Sequence, residues 1–182
     1  TDKQIEYIKY DLPKVEDLSA EKIIEALKKS GLWVCLKQRP YGIIPNPNVE
    51  PKAIFVSGFS SVPAAPDYDY ALKDELDNIQ LAINALNKLT KGGVHMGLSR
   101  ISANSTPLHK LKNVYFHVFD GPHPADNVGV QIHHISPVNK GEVVWTVDLP
   151  LLAAIGKFFS KGIYDMSRTV AITGPRANDP CY

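Results

Sequence analysis

Cysteine is nearly absent from this chain. Cys35 and Cys181 lie far apart and no Cys-x-x-Cys occurs. A disulfide framework and thiolate ligation of zinc or an iron–sulfur cluster are therefore unsupported, and two separate thiols fit a reducing compartment better. Charge of one sign is also missing. The formal net charge is +1 with a pI near 7.7, so there is no basic footprint for nucleic acid. No apolar run approaches the roughly 20 residues that span a bilayer. The first residues, Thr-Asp-Lys-Gln, do not open a signal peptide. No Gly-x-Gly-x-x-Gly, Walker-type Gly-x-x-x-x-Gly-Lys, Gly-x-Ser-x-Gly or His-x-x-x-His is found. Those absences argue against a phosphate cradle, a serine-nucleophile elbow and a helical metal pair.

What is present is an ordinary globular balance: 182 residues, 44% hydrophobic and 21% charged. That length predicts about one domain with a core large enough to need no staples. The start without Met and the stop at Asp-Pro-Cys-Tyr read as the bounds of a piece of something larger.

Residues 4–10 partly alternate and are expected to be extended, and 9–18 read as a linker around Pro13. Ser19 is placed to cap a helix to about Lys29, with Ile23, Ile24 and Leu27 on one face and Gly31 ending it. The proline-rich stretch 32–51 reads as a loop with room for a short turn of helix. Ala53–Val56 is an apolar run of strand formers. Leu72, Leu76, Ile79, Ile83 and Leu86 recur with helical spacing, and Gly92-Gly93 stops them. Strands are expected at 94–98 and at 114–119, the latter with Val114, Phe116 and Val118 on one face; 99–112 read as loop. Val128–Ile135 fits a strand or a short helix. Val143–Val147 reads as a strand, and Asp148, Pro150 and Gly162 bound a helix with a stripe of Leu151, Leu152, Ile155, Phe158 and Phe159. A last strand is expected at 169–173. Strands alternating with helices predict an α/β fold: a mostly parallel sheet with helices on both faces.

The loop after the 53–56 strand, Ser57-Gly58-Phe59-Ser60-Ser61-Val62-Pro63, has one glycine followed by a bulky Phe, which argues against tight phosphate binding. His117, His123, His133 and His134 fall in one stretch without carboxylates at ligand spacing, so one buried and several exposed histidines are expected rather than a metal site. His123, between two prolines in the Gly121–Pro124 turn, is held where it can line a cleft. Asp67 and Asp69 suit a helix start. Trp33, Arg39, Pro40 and Tyr41 read as a loop packed on the core or as a lining for a flat, carbonyl-bearing ligand, stacked on Trp33 and hydrogen-bonded by Arg39.

The segment Trp33–Ile43, with its Gln-Arg-Pro-Tyr, resembles the A subunits of the bacterial sodium-translocating NADH:quinone reductases. Ser57-Gly58-Phe59 with Pro63–Tyr68, Gly121–Ala125 with Asn127-Val128-Gly129 and His133-His134, Ala154–Lys157, and Thr173-Gly174-Pro175 are similar to further motifs of that family, in order. The resemblance implies a preceding β-rich domain ending within 1–18, an α/β Rossmann-like central domain at 19–176, and a linker starting at 177–182. It further implies similarity to the flavin- and NADH-binding domain of a respiratory complex I subunit. Where such relatives carry a glycine-rich loop, this chain has Gly31–Lys37 with a single Gly. Where they carry acidic residues, it has Phe59–Pro63 without a carboxylate. The expectation is a dinucleotide-type scaffold that binds no cofactor of its own, in a complex that uses NADH, flavins and ubiquinone. Family membership implies a peripheral place on the cytoplasmic face of a bacterial inner membrane, beside the other subunits of a sodium pump, and involvement in ubiquinone reduction. It implies oxidoreductase and translocase activity for the complex and an inactive isolated fragment. Trp33, Arg39, Tyr41, Gly121 and His123 are the candidate quinone or partner surface, with no metal site. A ligand-free assembly module and a stand-alone flavodoxin-like enzyme are the alternatives.

Overall fold

The computed structural model describes residues 8–63, 65–165, 167 and 169. The expected strands at 4–10 and 169–173 and the 177–182 tail fall wholly or largely outside them; of the first, Lys9 makes one antiparallel bridge to Ile163.

The first helix, α1 (Ala20–Ser30), forms as its caps dictate. The Ser19 side chain accepts from Lys22 N, and Gly31 takes the left-handed conformation with φ 81°. Segment 9–18 packs against the domain it precedes. Val15 and Leu18 are buried, and Lys88 Nζ donates to the carbonyls of Val15, Glu16 and Leu18 at 2.7, 2.8 and 2.8 Å. Those three bonds satisfy the ammonium fully and fix the segment.

The stretch 32–51 holds the expected short helical turn and also a strand that its prolines do not suggest. A 3-10 turn at Leu32–Cys35 leads into β1 (Lys37–Arg39), which pairs antiparallel with β5 (Val144–Thr146). Then come β2 (Ile54–Ser57), a single turn α2 (Tyr68–Ala71), and α3 (Leu76–Asn87). Leu72 closes α2 and is not part of the α3 stripe, because the chain breaks between them. β3 (Val94–Ser99) and β4 (Val114–Phe119) follow, with a 3-10 turn at Pro107–Lys110 in the intervening loop. The ambiguous 128–135 segment is the helix α4 (Val128–Ile135), started by an Asn127 side chain that accepts from Gly129 N. Finally α5 (Leu149–Lys161) begins with Pro150 in its first turn and ends at left-handed Gly162. Asp148 sits at its N-cap position, but its side chain makes no capping bond.

The sheet has five strands in the order β1-β5-β2-β3-β4, parallel except for β1. Its two faces bury different layers. Ile54, Val56, Met96 and Leu98 join the main core with α1, α3 and α5. Ala53, Phe55 and Val144 pack with Ile132 of α4 on the other side. That alternation along β2 is the period of two for a strand covered on both faces. The tightest helix crossing is α3 on α5, where Gly156 lies so near the Asn78 carbonyl that an added Cβ would fall 1.7 Å from its oxygen. On β4 the expected shared face divides: Val114 and Phe116 are partly buried, but Val118 is exposed, because β4 is the edge of the sheet and the helix layer stops short of it.

Candidate functional site

From β2 the chain steps outward through α3 to β3 and on to β4. It then returns by α4 to β5 on the opposite side of β2. The carboxyl ends of β2 and β5 therefore diverge, and such a switch point is where open α/β sheets hold nucleotides. Here the crevice is small and occupied by side chains. It has a volume of about 170 Å³ and is lined by Ser57 at the end of β2, Phe59 just after it, Tyr68 from α2, Asp126 before α4, and Val147 and Asp148 before α5. The phenol of Tyr68 is held above its usual pKa by burial first and then by the Asp148 and Asp126 charges. A phosphate placed in this crevice would meet the same two carboxylates. The bulk of Phe59 and Tyr68 takes the room that a glycine turn leaves open. The residues lining this crevice do not fit a flavin or pyridine nucleotide phosphate.

Beside the crevice the post-β2 loop meets the 121–126 turn. Ser61 Oγ donates to Asp126 Oδ1 at 2.5 Å, Ser60 Oγ to Asp126 Oδ2 at 3.1 Å, and His123 Nδ1 lies 3.0 Å from Ser61 Oγ. Burial pushes the Asp126 carboxyl up, but the Ser61 and Ser60 hydrogen bonds outweigh it and hold the group below its ordinary value. The order of donation matters. Because Ser61 gives its proton to Asp126, His123 Nδ1 can only donate to Ser61. A serine nucleophile needs the reverse, with histidine taking the serine proton. This cluster ties two loops together and is not a hydrolytic triad.

The residues expected to form one surface are separated. Trp33 is 6% exposed, its Nε1 donates to Pro45 O at 3.0 Å, and its ring stands edge-on to Trp145 at 5.3 Å. It is a core residue and offers no face for ligand stacking. Arg39 pairs with Val144, at the amino end of β5, because β1 runs antiparallel to its neighbour. Its Nε is buried with no hydrogen-bond partner among the described residues. Tyr41 is 80% exposed just beyond it, with Ile43 and Ile44 also exposed. Gly121 and His123 follow the carboxyl end of β4, so they lie at the other end of the sheet. The structure brings Arg39 and Tyr41 to one end, and Gly121 and His123 to the other.

His95 has surroundings that its place in the sequence does not announce. On β3 it stacks on Phe55 and on His117 of β4, with Nδ1 2.9 Å from His117 Nε2 and Nε2 3.1 Å from the Gly92 carbonyl. The carbonyl can only accept, so His95 Nε2 carries a proton, and His117 donates to His95 Nδ1. Burial lowers the pKa of both rings, and the His95 charge lowers His117 further. The register sets His95 opposite Tyr115 and so makes His117 its diagonal neighbour, a meeting that no local signal gives. His133 and His134 lie exposed on α4. Among the described residues no three His, Cys, Asp or Glu side chains converge for a metal.

A second cavity of about 650 Å³ lies between α2, the first half of α5 and residues Asp165, Ser167 and Thr169. On its wall Lys157 Nζ stands 3.0 Å from Glu75 Oε1 and 3.4 Å from Asp165 Oδ2. Burial lowers the Lys157 pKa, but the two carboxylates outweigh this and raise it. Lys157 thus clamps α5 to the start of α3, beyond any interaction with the helix dipole.

A family model described as the NqrA second alpha/beta domain matches residues 18–164. The chain is similar to the A subunit of the Na(+)-translocating NADH-quinone reductase of Yersinia pseudotuberculosis serotype O:1b (strain IP 31758), 35% identical over 179 residues, 98% of this chain and 40% of the relative. The corresponding A subunit from Pseudomonas aeruginosa is 33% identical over 179 residues, again 98% of this chain and 39% of the relative. The chain thus spans about two fifths of the length of these relatives. Among solved structures, an NAD+-reducing [NiFe]-hydrogenase in the H2-reduced state aligns with TM-score 0.53 and 13% identity, covering 82% of this chain and 32% of that one. At that identity the likeness concerns the fold alone. Among the described residues no helix is long and apolar enough to cross a membrane.

Proposed function

Because the chain belongs to the family of the NqrA second α/β domain, we propose that it serves a sodium-translocating NADH:quinone reductase as a peripheral, cofactor-free scaffold. In this reading it retains the architecture of a flavin- and NADH-binding domain without its site. It contributes to ubiquinone reduction by holding neighbouring subunits in place at the cytoplasmic face of a bacterial inner membrane. The observation that carries the cofactor-free reading is the switch-point crevice. A ligand pocket of drug or cofactor size usually encloses about 300–1,000 Å³, and this crevice has about 170 Å³, with Asp126 and Asp148 on its wall. Neutral or basic groups there would welcome a phosphate, whereas two carboxylates oppose it.

The division of Arg39 and Tyr41 from Gly121 and His123 supports scaffolding over quinone binding by this domain. Two patches at opposite ends of a sheet suit contacts with two neighbours better than one flat ligand. Calorimetric titration of the 182-residue chain with FMN and with NADH tests the first point; saturable micromolar binding of either, or a yellow purified protein, would overturn it. A short-chain quinone titrated in parallel, with Arg39→Ala as the comparison, tests the second. Binding that this variant abolishes would replace the scaffold reading with a quinone site at the amino end of β5.

A further inference from the structure

The two edges of the sheet are treated differently. At β1 the edge is short, carries Lys37 and Arg39, and is covered by its own chain, since Gln38 N donates to Ile43 O at 2.7 Å. Short length, charge and a covering segment are the usual protections of an edge. β4 has none of them. It is six residues long and reads Val-Tyr-Phe-His-Val-Phe, without lysine, proline or a bulge. Tyr115 is 60% and Val118 54% exposed along it.

Its backbone polarity is fixed by one bond. Arg100 N donates to Phe119 O at 2.9 Å, so the Phe119 carbonyl points toward β3. Backbone groups alternate along a strand, so Tyr115, His117 and Phe119 face β3, while Val114, Phe116 and Val118 turn their N–H and C=O groups outward. Among the described residues those outward groups have no partner. Three aligned donor–acceptor pairs on an apolar, uncharged strand are a template for another strand.

We propose that β4 pairs antiparallel with β4 of a second copy of this chain, about a two-fold axis through Phe116. The sequence around that axis is complementary to itself. With Phe116 opposite Phe116, Val114 meets Val118 and Tyr115 meets His117, so no like charges oppose each other within the strand. All three outward-facing residues also pair with outward-facing residues, which only even-numbered offsets allow, and this offset uses all of them. Lys112 precedes the strand and Asp120 follows it. Antiparallel pairing therefore brings the basic start of each β4 toward the acidic end of the other. Asp120 is available for this, since its contact with Arg100 is 3.6 Å long between two largely exposed side chains. A strand from a different protein would have to supply this pattern, whereas a second copy already carries it, and a two-fold contact closes on itself without propagating into a fibre. The two sheets of five would then form one of ten strands.

Light scattering on the 182-residue chain, from micromolar to near-millimolar concentration, is expected to show a monomer–dimer equilibrium. Val118→Pro removes an outward N–H that the monomer does not use and should shift the chain to monomer. Asp120→Lys should weaken the dimer, and Lys112→Asp combined with Asp120→Lys should restore it. Amide exchange reads the register without any variant. Val114, Phe116 and Val118 should exchange quickly when dilute and slowly when concentrated, while Tyr115, His117 and Phe119 stay slow throughout. A monomer at every concentration overturns the proposal. So does a dimer in which the outward amides stay unprotected, or one that survives Val118→Pro with the fold intact.

Discussion

Replacing Gly156 by Ala probes the contact on which the helix layer depends. The new Cβ would lie 1.7 Å from the Asn78 carbonyl oxygen and 2.3 Å from its carbon. A carbon and a carbonyl oxygen rest no closer than about 3.3 Å, so α3 and α5 would have to part by roughly 1.6 Å. The obstacle is backbone, so no rotamer change at Asn78 relieves it. A gap of about 0.5–1 Å already forfeits a quarter to a half of each dispersion contact. The buried neighbours Ile79, Ile83, Leu152 and Ile155 share that crossing. Against this stands a propensity gain of about 1 kcal/mol for Ala over Gly inside a helix. Overpacking of this kind costs about 1–3 kcal/mol and sometimes more. We expect a net loss of about 2 kcal/mol, which in a domain of this size lowers Tm by about 4–8 °C. Gly129→Ala in α4 is the control, because its Cβ would meet only the Asn127 Oδ1 at 3.1 Å. That variant should be neutral or slightly more stable. Urea unfolding followed by circular dichroism, with Trp33 and Trp145 as fluorescent reporters of the core, measures both. A Gly156→Ala protein as stable as the parent would refute the packing argument, because the propensity term would then be acting alone.

Trp33→Ala should cost about 3–5 kcal/mol, as truncation of a buried aromatic does, while Tyr41→Ala should leave stability within about 0.5 kcal/mol; equal effects in chemical denaturation would contradict the placement of the two side chains. Lys157→Met leaves Glu75 and Asp165 facing each other without their cation, and should destabilise by about 2 kcal/mol, below the full buried-pair value because all three groups keep some solvent contact. The double variant Lys157→Met with Glu75→Gln should recover part of that loss in the same denaturation experiment. The lowered pKa values of His95 and His117 mean that the unfolded chain binds protons which the folded chain refuses. Their contribution is fully present above the unfolded value of about 6.5 and is lost as pH falls from there through the folded values. Urea midpoints measured between about pH 8 and pH 5 should fall on the acid side, and His117→Gln should flatten the slope; an unchanged slope in that variant would show that the pair is not responsible.

Much of the helical layer was legible because its signals are local. Ser19 and Gly31 bound α1, Pro150 and Gly162 bound α5, and the apolar stripes fixed which faces turn inward. The same holds for β2, whose continuous apolar run announces a strand buried on both sides. That a loop follows β2 was also readable, from Ser57-Gly58 and Pro63 after the apolar run. Tertiary structure decided the rest. β1 has too little pattern to declare itself and becomes a strand only when β5, more than a hundred residues away, supplies its hydrogen bonds. That antiparallel pairing carries Arg39 and Tyr41 to the end of the sheet opposite His123, whereas the linear sequence leaves their distance open. Trp33 reads as part of a loop packed on the core or as a ligand lining until Trp145 is set against it. Residue type and spacing specify which segments become helix or strand; which side chains meet depends on how those segments are ordered in space, and that ordering minimises the free energy of the whole chain.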